Sequence, residues 1–150
     1  SLVQMREKEG LNLKSDLEKR VFAMDKILDE IQQLDPERIV EWKKKFEERL
    51  KALVGNAGID PVRVVQEASI IADRLDINEE ITRFKSHNKL FLSTLELGAN
   101  QGKKLTFILQ EMGREANTLA TKCQSAKIAA LAIQLKDSVE TIREQTMNIE

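Results

Sequence analysis

The 150-residue chain predicts an all-α fold, and three observations carry that expectation. Leu, Glu, Lys, Ala, Ile and Gln are among its commonest residues, tyrosine is absent and aromatics make up only 4%. That composition favours helices and lacks the β-branched and aromatic clusters that mark strands. Apolar residues recur at three- and four-residue steps rather than alternating, and the breaks between periodic stretches carry helix-start chemistry.

Taken in order, Leu13, Leu17, Val21, Met24, Ile27 or Leu28, Ile31 and Leu34 place a long amphipathic helix over Leu2 to Leu34. Gly10 inside it costs roughly 1 kcal/mol of propensity relative to alanine, so a bend or late start is expected there. Asp35-Pro36 supplies a cap and a first-turn proline for a second helix, Pro36 to about Val54. The joint is short, so the two form either a hairpin or a kinked pair. "GNAGIDP", residues 55 to 61, is the best internal boundary, and Asp60 caps a helix from Pro61 to about Leu75. Asp76 and Glu79 are spaced as a capping box for a helix from Ile77 to about Leu97. After "GANQG" come helices over about Lys103 to Lys122 and Ser125 to Met147. The expected arrangement is an extended pair over 1–54, suited to oligomerisation or domain contact, then a compact four-helix region over 60–150, together one structural domain.

Bulk properties bound the function classes. With 24 basic and 25 acidic residues the formal charge is −1, so any nucleic-acid contact needs local clustering. One cysteine, Cys123, excludes an internal disulfide and fits a reducing cytoplasm, and no apolar run approaches the ~18 residues of a membrane span. "SLVQMREKEG" has neither a signal-peptide stretch nor an initiating methionine, as expected of a chain cut from something longer. Phosphate-binding loops, zinc spacings and nucleophile elbows are absent from the sequence.

The candidate groups sort by helix face. On the helix holding "FILQEMGREANTL", Leu105, Ile108, Leu109, Met112, Ala116 and Leu119 share one side. Glu111, Arg114, Glu115, Thr118 and Lys122 fall on the other, with Gln110 and Asn117 beside them. Such a charged stripe is most simply a solvated face, with Arg114 supporting Glu111 at i+3. One helix earlier, Ile77, Ile81, Phe84, Asn88 or Phe91, Leu92 and Leu95 are core positions, and Glu80, Arg83 and His87 form a second stripe. His87 is the only histidine, which excludes a two-histidine metal site. In "VQEASIIADRLD", Gln66, Glu67, Asp73 and Arg74 lie opposite Val65, Ala68, Ala72 and Leu75. Cys123 reads as a packed small hydrophobe, Trp42 as core or interface rather than a base-stacking platform, and Lys43 to Lys45 as a solvated charge run.

Three segments say more than their periodicity. "DRLDINEEITRFKSH", "GKKLTFILQEMGREANTLATK" and "LKDSVETIREQTMNIE" resemble the YicC (YloC) family of bacterial endoribonucleases, and "QMREKEGLNLKSDL" resembles the start of that family's long helix. The likeness runs from about Val3 to Glu150. Gly113 and Ala120 stand where the family pattern leads one to expect Asn and Gly, and Cys123 where Ser is usual. Family chains are nearly twice as long, with an N-terminal α+β part, so the sequence resembles their C-terminal half.

The resemblance implies an endoribonuclease acting on RNA, a homo-oligomer (trimer, or a hexamer built from trimers) and a divalent cation, Mn2+ or Mg2+. The faces read from the sequence are compatible with it: Glu111, Glu115 and His87 are the candidate catalytic groups, and Arg114, Lys122, Arg83, Arg74 and Asn117 the candidate RNA or phosphate contacts. The candidate hard-cation ligands are Glu111, Glu115, Asp73 and Glu80. Two chemistries stay open. In one, favoured because carboxylates are abundant and there is a single histidine, carboxylates such as Glu111 and Glu115 hold a metal that activates water. In the other, His87 or a glutamate deprotonates the 2′-hydroxyl while Arg114 or Lys122 stabilises the oxyanion. The rival reading is a non-catalytic helical module that oligomerises or positions RNA.

Overall fold

The computed structural model describes residues 2–54, 58 and 60–148. The described residues form five helices and no strand: α1 (Leu2–Val54), α2 (Pro61–Arg74), α3 (Asn78–Glu96), α4 (Gly102–Lys122) and α5 (Ala126–Met147). The all-α expectation therefore holds. Much of the expected boundary over 55–61 lies outside the described residues, but Asp60 does cap α2, its carboxylate accepting from the Val62 amide at 3.1 Å. Asp76 accepts from the Asn78 amide at 3.0 Å. Its capping-box partner Glu79 pairs instead with Arg83.

The main departure is α1, which runs through both Gly10 and Pro36 as one helix. Of the two arrangements the Asp35-Pro36 joint allowed, the hairpin does not form. A proline in a helix interior costs about 3 kcal/mol, because it removes an N–H donor and crowds the preceding turn. Opposing that cost, Asp35 does not cap a new helix. It accepts from Arg38 Nε at 2.6 Å, and the Arg38 guanidinium also donates to the Cys123 carbonyl at 3.1 Å and to the Leu75 carbonyl. Those carbonyls belong to the C-caps of α4 and α2, where helix dipoles favour a cation. Arg38 therefore pins α1 to two other helices one turn beyond the proline.

Within α1, Leu17, Val21, Met24, Leu28 and Ile31 are fully buried. Their alternating four- and three-residue spacing is the inward seam of a left-handed bundle. They share one core with Ile77, Ile81, Phe84 and Phe91 of the α3 region, with Leu105, Ile108, Met112 and Leu119 of α4, and with Ile128, Leu135 and Ile142 of α5. Asp29 with Lys85, Asp25 with Asn88 and Lys14 with Glu96 set α1 antiparallel to α3. Gln145 with Asp16 and Arg38 with Cys123 set it antiparallel to α5. The result is an up-down four-helix bundle of α1, α3, α4 and α5, in which α4 packs between α3 and α5.

Helices of 19 to 22 residues span about 30 Å, whereas the 53 residues of α1 span about 80 Å, so α1 overhangs the bundle at both ends. Its C-terminal part and α2 lie against each other outside the bundle. On α2, Ala68 is buried as expected, but Val65 is 65% exposed, because only α1 covers this helix. No helix among the described residues is long and apolar enough to cross a membrane.

Candidate functional site

Antiparallel packing of α3 on α4 brings the first turn of one beside the last turn of the other. Glu80 lies in that first turn and Lys122 in that last turn, so each charge sits at the helix end whose dipole stabilises it. Their side chains meet: Lys122 Nζ is 2.6 Å from Glu80 Oε1 and 3.3 Å from the Asp76 carbonyl. One turn further in, Arg83 Nε is 3.1 Å from Glu115 Oε1, Nη1 is 2.9 Å from Glu79 Oε1, and Nη2 is 3.9 Å from Glu80 Oε1. A single guanidinium thus spans three carboxylates.

Glu79 is exposed, but the other two acids are more deeply buried than the cations they hold. The Glu80 and Glu115 side chains are 2% and 6% exposed, while Arg83 and Lys122 are 46% and 34% exposed. A carboxylate is held in such an environment only by a paired cation. Each cation in turn keeps donors turned to solvent. Glu80 Oε2 is buried with no hydrogen-bond partner among the described residues. Glu115 was expected on a solvated stripe; α3 lies over it, and it is buried. The one-sided reading of that stripe is therefore corrected at Glu115, whereas Glu111 and Arg114 behave as expected, loosely paired at 4.0 Å with Arg114 76% exposed.

The remaining candidates lie elsewhere. His87 is half-buried on α3 and pairs with neither Arg83 nor Glu80. Asp73 and Arg74 are exposed in the last turn of α2, in none of the ion pairs of the α3–α4 seam. Arg114 and Asn117 line a groove of about 400 Å³ between α4 and α5, opposite Lys136, Glu140 and Arg143, with Gly113 along its floor. Sequence reasoning missed the α5 side of this groove, although the i, i+4, i+7 spacing of Lys136, Glu140 and Arg143 marks one helix face. A Cβ at Gly113 would meet only Val139 Cγ1, at 4.0 Å.

Among the described residues no group of three or more His, Cys, Asp and Glu converges as a metal cage. The two buried glutamates that come nearest to one are already engaged by Arg83 and Lys122. The donor set of one chain thus does not fit a resident divalent cation held by protein alone. It fits carboxylates that position cationic side chains. Cys123 is buried and free, as expected of a packed thiol.

The comparisons with known proteins bear out the family resemblance. Residues 31–150 match the family model described as endoribonuclease YicC-like, C-terminal. The chain is 35% identical to "Probable endoribonuclease YicC" of Clostridioides difficile (strain 630) and 36% identical to the protein of the same name from Haemophilus influenzae. Each match covers 99% of this chain and 51% of the relative, so the chain spans about half the length of the curated relatives it matches. The chain belongs to the YicC-like endoribonuclease family and corresponds to its C-terminal, all-helical domain.

Proposed function

We propose that this domain is part of an endoribonuclease that cleaves RNA phosphodiester bonds, with the α3–α4 seam of Glu80, Arg83, Glu115 and Lys122 as its phosphate site. The observation that carries the reading is the pairing of two nearly buried glutamates with two half-exposed cations. Arg83 and Lys122 are held in place by partners behind them and present free donors in front. Preorganised donors of this kind stabilise charge that develops on a phosphorane, because they need little reorganisation when the reaction occurs. Arg83 is suited to planar, bidentate contact with phosphate, and Lys122 to a point contact.

In this reading Glu80 and Glu115 are positioning residues. Glu111, less buried and only loosely held, is the carboxylate free to move a proton in this reading, and His87, with no ion pair among the described residues, is the second candidate. A Mn2+ or Mg2+ ion bound together with the RNA would stabilise charge at the scissile phosphate, and the half-free Glu111 is the carboxylate of this chain that would be available to it. The protein acts in the cytoplasm as a homo-oligomer, trimer or hexamer, and the overhanging ends of α1 are the surfaces available to a second copy.

The test incubates the protein with end-labelled single-stranded RNA, with Mn2+ or with chelator, and identifies the product ends. Cleavage that falls in Glu115→Gln and Lys122→Gln supports the reading. Products with a 5′-phosphate assign the step to an activated water, and 2′,3′-cyclic phosphates assign it to the 2′-hydroxyl, with His87→Ala as the next variant. No cleavage by a correctly folded protein that still binds RNA overturns the reading and leaves an RNA-positioning module.

A further inference from the structure

The inward seam of α1 does not stop where the bundle ends; its chemistry changes. Leu17, Val21, Met24, Leu28 and Ile31 continue in the same alternation of four and three as Asp35, Arg38, Trp42, Lys45 and Arg49. All lie on one face of one unbroken helix. Beyond the core this face lines a pocket of about 210 Å³. Its walls include Trp42 and Phe46, whose rings stack with centroids 5.2 Å apart and planes 17° from parallel. Lys45 and Arg49 stand exposed beside them, the nearly buried Arg38 guanidinium reaches it, and Gln124 enters from the α4–α5 connection. Glu41 is the one acid on its edge.

We infer that this pocket is a base-binding subsite for single-stranded RNA. The inference rests on the RNA-cleaving reading above and extends the path of the strand beyond the seam. Four features converge on a nucleobase rather than on a generic anion. A half-exposed, preassembled aromatic pair offers a face on which any base can stack. Two flexible cations lie within two helical turns of it, placed to take the phosphates on either side of that base. The pocket, about 210 Å³, has room for a single planar ring system. The Gln124 amide carries both a donor and an acceptor, and the Glu41 carboxylate adds a second acceptor, as the polar edge of a base requires.

Its position ties it to the seam. Arg38 holds the Cys123 carbonyl, one residue from Lys122, and the Leu75 carbonyl, one residue from Asp76, whose own carbonyl accepts from Lys122. A strand that leaves the pocket past Arg38 runs toward the Lys122 end of the seam, while Lys45 and Arg49 hold the phosphates beside the base. Trp42 was expected to be core or interface. The structure leaves it half-buried against Phe46 alone among aromatics, with cations around it.

Trp42 is the only tryptophan in the chain and there is no tyrosine, so intrinsic fluorescence reports this pocket directly. The protein is titrated with an end-labelled single-stranded oligoribonucleotide and with an abasic strand of equal length and charge, following label anisotropy and Trp42 emission together. The expected result is that both strands raise anisotropy, while only the base-bearing strand quenches Trp42, saturating at the same concentration. Trp42→Leu, with helix content unchanged by circular dichroism, then weakens the base-bearing strand about tenfold and leaves the abasic strand unaffected. Lys45→Glu with Arg49→Glu weakens both. Binding of RNA without quenching, or equal quenching by the abasic strand, overturns the subsite while leaving the seam reading intact. Quenching that follows protein concentration without RNA overturns it in favour of a contact between copies. Absence of RNA binding overturns both readings.

Discussion

Helix α4 carries charge on two flanks, and the two are built differently. Toward α3, Glu115 and Lys122 are locked into a network with Glu80 and Arg83, at distances of 2.6 to 3.9 Å and with the acids buried. Toward α5, Arg114, Asn117, Lys136, Glu140 and Arg143 line an open groove, and the nearest ion pair is the 4.0 Å contact from Arg114 back to Glu111. The seam fixes its cations before any ligand arrives, at the cost of burying carboxylates. The groove leaves its cations mobile and hydrated. Fixed donors discriminate a transition state from a ground state, while mobile surface charge contributes salt-sensitive, sequence-independent attraction. In the proposed reading, chemistry belongs to the seam and general strand holding to the groove.

The largest effect that separates the two flanks is on turnover. Arg83→Ala is expected to lower the single-turnover cleavage rate by about 10²- to 10³-fold, the range for loss of one preorganised donor. Arg143→Ala in the groove should change it only severalfold. Stability separates them next. Lys122→Ala leaves the buried Glu80 only its 3.9 Å contact to Arg83, and is expected to cost up to about 3 kcal/mol in urea unfolding. Lys136→Ala, exposed and unpaired, should stay within about 0.5 kcal/mol.

A smaller effect sharpens the groove's side of the comparison. Each groove cation that contacts phosphate should lower the slope of log affinity against log salt by about 0.7 when removed, as expected for single strands. Gly113→Ala, with open space at its Cβ, is expected to raise stability by up to about 1 kcal/mol through helix propensity alone. The smallest effect lies on the α1–α5 side, away from both flanks. Arg20 and then Gln145 donate to the Asp16 carboxylate and hold its pKa below the ordinary 3.8. Its contribution is present in full above the unfolded-state value, near pH 4, and is lost as pH falls through the lower folded-state value. Urea midpoints compared at pH 5 and pH 3 should therefore converge for Asp16→Asn and wild type on acidification.

Most of the bundle was legible because its signals are local. The spacing of Leu17 through Ile31, the core face of α4 and the Asp60 cap all follow from periodicity and capping chemistry, and each is found where expected. Pro36 was misleading because an Asp-Pro pair is a sound helix start, and its signal was overridden by Arg38 contacts to residues 37 and 85 positions away. Glu111 and Glu115 were indistinguishable by sequence, one turn apart on a single stripe. Only the approach of α3, with Arg83 beside Glu115, makes one a buried anchor and leaves the other half-free. The resemblance pointed to the correct family, but it could not say that Glu115 is engaged by an arginine while Glu111 is only loosely paired.

The proposed action is that of the seam's cations, held by buried glutamates, on the RNA phosphate. It is tested most directly by comparing two double variants in single-turnover cleavage of labelled RNA: Arg83→Ala with Lys122→Ala, and Lys136→Ala with Arg143→Ala. Both must first be matched to wild type in helix content and oligomeric state. The account predicts that the seam pair loses cleavage by at least about 10²-fold at saturating protein, while the groove pair regains the wild-type rate once protein is raised to saturation. A seam pair that cleaves at the wild-type rate contradicts it.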